Sequence, residues 1–184
     1  MEQYIQVFKC LGAALENSSC ATFSNLCFKP KQIQCFELLL KGHDVVAVLP
    51  TGYGKSLIFH LLPWVLPIKT IGESNLVLVV CPLSSIMNDQ ISVLKQQGIR
   101  AASLPNLFNG KDDDVSSLFP SSRPKSDDLE VNFSKAILEA DIDILFGHPE
   151  SFLSVHGREL LKSPIYKKKV VACAVDEAHC INIW

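Results

Sequence analysis

Five short apolar runs punctuate the chain: Val45–Leu49, Leu76–Cys81, Ala101–Leu104, Ile142–Phe146 and Val170–Val175. They are rich in β-branched residues and nearly continuous in hydrophobicity, which predicts strands covered on both faces. Helical periodicity separates them. Lys31–Lys41 puts Ile33, Phe36, Leu39 and Leu40 on one face and meets Gly42, a suitable glycine for ending a helix. Ser85–Gln97 gathers Ile86, Met87, Ile91 and Leu94 into a stripe and stops at Gly98, while Phe133, Ile137 and Ala140 mark a shorter helix. This alternation predicts an α/β fold, a mainly parallel sheet with helices on both faces, whose ligands bind at the carboxyl ends of the strands. Residues 1–22 are expected to form a lead-in helix to a main domain spanning residues 23–184. The stretch Lys111–Glu130 breaks the pattern with acidic and serine-rich sequence of no period, and reads as a solvated insertion loop.

Composition narrows the function classes. The chain has 184 residues, 48% of them hydrophobic and 20% charged, the balance of a folded domain. With 17 Lys and Arg against 19 Asp and Glu, a basic nucleic-acid coat is excluded and any contact with DNA or RNA must be local. The seven cysteines form no C-x-x-C pair, which favours buried reduced thiols over a zinc site or disulfide framework. The most apolar stretch, Leu57–Ile68, is interrupted by His60, Pro63 and Pro67 and is too short to span a bilayer, so no membrane partner is expected. These features predict a soluble chain of the nucleus, or alternatively the cytoplasm.

Two segments carry chemistry. Val45–Leu49 runs into Pro50-Thr51-Gly52-Tyr53-Gly54-Lys55-Ser56, followed at once by an apolar helical run. Gly52 and Gly54 permit backbone torsions that aim successive N–H groups inward, and the helix N-terminus adds a positive dipole end. Lys55 is placed to reach β- and γ-phosphates, and the Ser56 hydroxyl to ligate Mg²⁺. The generic phosphate-loop pattern asks for glycine where Leu49 stands; an ordinary glycine-rich turn is the competing reading, disfavoured by the flanking strand and helix.

The last predicted strand ends in Asp176-Glu177-Ala178-His179. Asp176 at a strand's carboxyl end suits Mg²⁺, and Glu177 suits orienting or deprotonating an attacking water. Adjacent strand residues face opposite ways, so the two roles must differ unless the strand stops at Asp176. Alone, this tetrapeptide also suits the capped start of a surface helix. Joined to the phosphate loop it points to a nucleoside triphosphatase using Mg²⁺.

At this level of detail the chain resembles the RecQ family of DNA helicases, from about Phe23 to Trp184. Phe28-Lys29-Pro30-Lys31-Gln32 is similar to that family's adenine-reading motif; the resemblance gives Gln32 the base edge and places Lys29 near it. The segment Pro50–Ser56 resembles the family's own phosphate loop, in which the Leu49 position is normally not glycine, and Thr51, Gly52, Tyr53, Gly54, Lys55 and Ser56 become nucleotide-binding positions. Cys81–Gln90 resembles a motif that touches the DNA backbone, which implicates Ser85, Asp89 and Gln90. His148-Pro149-Glu150 resembles a later Pro-Glu motif. Asp176–Trp184 is the most diagnostic stretch, similar to a loop that couples single-stranded DNA to hydrolysis, and adds His179 and Trp184 to the nucleic-acid set. Departures include Lys29 in place of arginine, which weakens planar stacking on a base, Asn25 where an aromatic is common, and Asn182 in place of serine.

The resemblance implies a RecA-like P-loop domain of an enzyme, the ATP-binding motor lobe of a 3′–5′ DNA helicase. Its catalytic residues would be Lys55, Asp176 and Glu177, with ATP and Mg²⁺ as cofactors and single-stranded or forked DNA as partner. A second RecA-like lobe with an arginine finger is absent from this sequence. Such a finger is commonly worth ~10³–10⁵ in rate, so the expectation is a lobe that is nearly inactive alone. The alternative is a non-catalytic, nucleotide-dependent nucleic-acid-binding or interaction module derived from a helicase. Lys167-Lys168-Lys169 reads as a solvated run rather than a DNA patch, Cys180 as a packing residue, and His43 and His60 as structural or exposed.

Overall fold

The structure, a computed structural model, describes residues 27–67, 74–105 and 135–183, with side chains as far as residue 180. The expected lead-in helix, the 111–130 insertion, Phe133 and Trp184 lie outside the described residues.

Four strands are present: β1 (Leu76–Val80), β2 (Ala101–Ser103), β3 (Ile144–Gly147) and β4 (Val170–Val175). They form one sheet in the order β2-β3-β1-β4, and every pairing is parallel. Alternate residues of the central strands enter two separate cores. Val77, Val79, Ile144 and Phe146 face helices α1 (Pro30–Leu40), α2 (Lys55–Val65) and α3 (Ser84–Gln96) through Phe36, Leu61, Leu62 and Leu94. Leu76, Leu78 and Leu145 face the other way, onto Ile137, Ala140, Phe152 and Tyr166. The predicted helix–sheet–helix layering is therefore present, and the continuous hydrophobicity of β1 and β3 has its cause in two covered faces.

The helix ends follow the glycines. Gly42 and Gly98 have φ of 79° and 77°, left-handed values that stop α1 and α3 within two residues of their last helical positions. Three short helices absent from the periodicity reading occupy the β3–β4 connection: α4 (Pro149–Leu153), α5 (Val155–Lys162) and α6 (Pro164–Lys169). They start at Pro149, at a Ser154 hydroxyl that accepts from Gly157 N at 2.9 Å, and at Pro164. Each spans only about one to two turns, too short for a helical repeat to stand out in the sequence. Lys167 and Lys168 are exposed on α6 as expected for a solvated run, but Lys169 donates to Ala140 O at 3.0 Å.

Two expectations need correction. Val45–Leu49 forms no strand; Val45 and Leu49 pack on the first core while Val46 and Val48 are 89% and 90% exposed. A strand requires a hydrogen-bonded neighbour, and among the described residues this run pairs with none of the four strands. Among the described residues β4, in turn, pairs only with β1, and its Cys173 and Val175 are exposed rather than covered. The second-layer helices reach β1 and β3 but stop short of the outer half of β4.

Candidate functional site

The phosphate-loop candidate begins where the apolar run meets Pro50. Gly52 and Gly54 adopt φ of 76° and 88°. Gly54 is the N-cap of α2, in left-handed conformation and without a side-chain cap, so the first amides of the helix are left for another acceptor. Glycine is needed there twice over, because a Cβ at residue 54 would sit 2.7 Å from Gln32 Nε2. Lys55 stands at the first turn with its Nζ donating to Leu49 O at 3.2 Å, its ammonium folded over the mouth of the loop.

Helix α1 braces this loop. Gln32, 2% exposed, donates from Nε2 to Tyr53 O (3.2 Å) and Gly54 O (2.9 Å), and its Oε1 accepts Lys29 N at 2.8 Å. All three bonds are internal, so the side chain that the resemblance gives to adenine here acts as a strut under the loop. Lys29 Nζ donates to Gly52 O at 3.3 Å and lies 4.7 Å from the Tyr53 ring centroid, close enough for a cation–π contact. Tyr53 thus has a defined place between Lys29 and the Lys31 amide, which donates to its hydroxyl at 3.4 Å.

The acidic pair leaves the sheet at the carboxyl edge. Asp176 N donates to Val80 O (2.9 Å) and Cys81 N to Gly147 O (3.0 Å), so three chain segments exit at one level. β4 ends at Val175, and Glu177 has φ of 51°, a left-handed turn that few non-glycine residues adopt. This resolves the strand-parity question: Asp176 is buried at 9% exposure while Glu177 turns away half-exposed. Glu177 Oε2 pairs with His179 Nδ1 at 3.2 Å. His179, expected to face nucleic acid, therefore also contacts the acid expected to handle water.

The Asp176 carboxylate is held from both sides. Its Oδ1 accepts Glu177 N at 3.0 Å and its Oδ2 accepts Gln90 Nε2 at 3.0 Å. The Gln90 Oε1 in turn meets His60 Nε2 of α2 at 3.2 Å. His60 is one helical turn beyond Ser56, at i+4 on the same face. The chain His60–Gln90–Asp176 thus ties the face of the loop helix that bears Ser56 to the end of β4. Burial lowers the His60 pKa from its ordinary 6.5 to about 4, against weaker opposing effects of the Gln90 bond and the Asp176 charge. Cys81 beside this edge is pushed up by burial first and by the Asp176 and Glu177 charges to a lesser degree, with its Leu83 hydrogen bond acting in the opposite direction, so it stays a thiol.

The expected DNA-facing set divides. Ser85 and Asp89 are exposed on α3, whereas the half-buried Gln90 bonds Asp176 and His60, beside the face on which Met87, Ile91 and Leu94 meet the core. Next to Ser85, the Ser84 hydroxyl bonds His148 Nε2 at 2.9 Å and links the loops after β1 and β3.

Residues 29–184 match the profile of the DEAD/DEAH box helicase family. The chain belongs to that family. Among its relatives are an ATP-dependent DNA helicase RecQ of Synechocystis, 33% identical over 157 residues, and a probable ATP-dependent DNA helicase RecS of Bacillus subtilis, 32% identical over 160 residues. Each match covers 85% of this chain but only 27% and 26% of the relative. An ATP-dependent DNA helicase Q-like 5 of Arabidopsis thaliana is 31% identical over 85% of this chain and 14% of its own length. The chain therefore spans roughly a quarter or less of these helicases, and its RecQ-type resemblance is that of the part carrying the phosphate loop and the Asp-Glu-Ala-His box. No helix among the described residues of this helicase-family chain is long and apolar enough to cross a membrane.

Reading the family motifs alone misses His60. The available signal was a polar ring inside an apolar helical run, spaced four residues from Ser56.

Proposed function

We propose that this chain is the ATP-binding motor lobe of a 3′–5′ DNA helicase, coupling nucleotide hydrolysis to movement along single-stranded DNA. The observation that carries the proposal is the uncapped start of α2: two left-handed glycines, free helix amides and Lys55 together form an acceptor for a polyphosphate. Thr51, Gly52, Tyr53 and Gly54 supply the loop, Lys55 the charge on the terminal phosphates. Ser56 and Asp176 are hard oxygen donors of the kind Mg²⁺ takes, one or two from protein with phosphate and water completing the shell. Bound there, Mg²⁺ would neutralise charge on the β- and γ-oxygens. Glu177 orients or deprotonates the attacking water, with His179 on its other oxygen communicating the state of the DNA-side loop.

Lys29 lies beside the loop for base contact, and Gln32 reads adenine by exchanging one of its two loop bonds for the base. Ser85, Asp89 and Trp184 form the DNA side. Residues 23–184 constitute the lobe, with 1–22 a lead-in helix and 111–130 an inserted loop. A DNA substrate puts the place of work in the nucleus of a nucleated cell. Arg100 is paired with Asp141 and Asp143, and Arg158 donates to Leu153 O; both engagements support the reading that this chain alone turns over slowly, without an arginine finger.

Titration with a fluorescent ATP analogue in Mg²⁺ tests the reading. Lys55→Ala should weaken binding at least about tenfold, the loss of one charge-assisted contact of ~1.5–3 kcal/mol, and unchanged affinity would remove the loop from the proposal. Glu177→Gln should leave affinity intact while stopping the slow single-turnover hydrolysis; a variant that still hydrolyses at the wild-type rate removes Glu177 as the water-handling group.

A further inference from the structure

The geometry points to Gln90 as a positioning residue that sets the orientation of the Asp176 carboxylate, with His60 fixing the Gln90 amide. This rests on the nucleotide reading above and deepens it. A carboxylate only accepts hydrogen bonds, so the Gln90 group facing Asp176 Oδ2 at 3.0 Å must be its NH₂. That leaves Gln90 Oε1 toward His60, and the 3.2 Å contact requires His60 Nε2 to carry the hydrogen. A flipped amide would set oxygen against oxygen at Asp176 and N–H against N–H at His60. Each member of the chain thereby excludes the wrong state of the next.

The result is a carboxylate with little freedom. Glu177 N holds Oδ1 and Gln90 Nε2 holds Oδ2, and at 9% exposure water offers few alternative partners. One lone pair on each oxygen remains for a cation. Since His60 lies one turn from Ser56 on α2, the same bridge keeps the two oxygen donors proposed for Mg²⁺ in step. Partners that orient a ligating group commonly contribute 10–100-fold to metal affinity.

The test measures binding of a fluorescent ATP analogue to the full chain across a Mg²⁺ series and in EDTA. Gln90→Ala should raise the Mg²⁺ concentration for half-maximal enhancement by about tenfold, with binding in EDTA unchanged. His60→Leu should produce a shift of the same sign, His60→Gln, which retains a donor, should restore it, and the double variant His60→Leu with Gln90→Ala should be no worse than Gln90→Ala alone. Lys55→Ala serves as the contrast, weakening binding with and without metal. Gln90 is only half-buried, so Gln90→Ala keeps the fold even if His60→Leu does not. An unshifted Mg²⁺ midpoint in Gln90→Ala, or equal losses with and without metal, overturns the inference alone. If the unaltered chain binds no nucleotide with Mg²⁺ present, the nucleotide reading falls and takes this inference with it.

Discussion

His60 makes acid stability measurable at a single ring. Its imidazole is held neutral by burial, with the pKa lowered from 6.5 to about 4. Above about pH 6.5 the ring is neutral in folded and unfolded chains alike, and it contributes no pH dependence. Between about 6.5 and about 4 the unfolded chain binds the proton and the folded chain does not, so stability falls as pH falls. At about 1.4 kcal/mol per pH unit, the loss reaches about 3 kcal/mol near pH 4 and levels off below it. The variant for comparison is His60→Gln, which keeps a donor toward Gln90 Oε1 and cannot titrate. Urea unfolding of both proteins from about pH 7.5 to about pH 4 should show the wild type losing about 3 kcal/mol more than the variant. Carboxylates common to both proteins cancel in that difference. Parallel curves, agreeing within about 0.5 kcal/mol, would mean that the ring is solvated or already charged in the folded state, and would refute the buried neutral imidazole.

Two further substitutions probe the frame. At Gly157, inside α5, alanine would ordinarily gain about 1 kcal/mol of helix propensity, yet a Cβ there would lie 2.1 Å from Ser151 O and 2.8 Å from Phe152 O. Gly157→Ala should destabilise by about 2–3 kcal/mol in chemical unfolding, and a neutral or stabilised variant would show that α4 and α5 do not pack this closely. Arg100 joins the start of β2 to the start of β3 through Asp143, with Nη2–Oδ1 at 2.6 Å and Nε–Oδ2 at 3.2 Å. Arg100→Ala should cost about 2 kcal/mol, whereas Asp141→Asn, on its exposed partner, should cost under about 1 kcal/mol; the reverse ranking in unfolding free energies would contradict the assignment.

The sequence made the strands of two-sided burial easy to read, because Leu76–Val80 and Ile144–Gly147 have only apolar surroundings and their composition says so. It overstated Val45–Leu49 and Val170–Val175, since the same apolar run suits a covered strand, an edge strand or an unpaired extension, and only neighbours decide. The loop, its lysine and the acidic pair were legible as local patterns. What was not legible is orientation. Gln90 and Asp89 are adjacent in a motif, and the helix sends one to a carboxylate and the other to solvent. Gln32 carries a family role in its motif, but in this conformation its three bonds are spent under the loop. Such assignments depend on contacts between residues far apart in the chain, such as Gln90 and Asp176, which no local spacing encodes.

The bare Val46 and Val48 have a practical consequence. Their side chains stand almost wholly in solvent, and the run from Val45 to Leu49 carries no lysine to deter apolar association. The behaviour of this polypeptide at high concentration is therefore governed less by how firmly its centre holds than by how readily two copies meet through those exposed valines. Light scattering that climbs with concentration well below the melting point would be the visible symptom, and a charge placed at Val46 or Val48 the remedy.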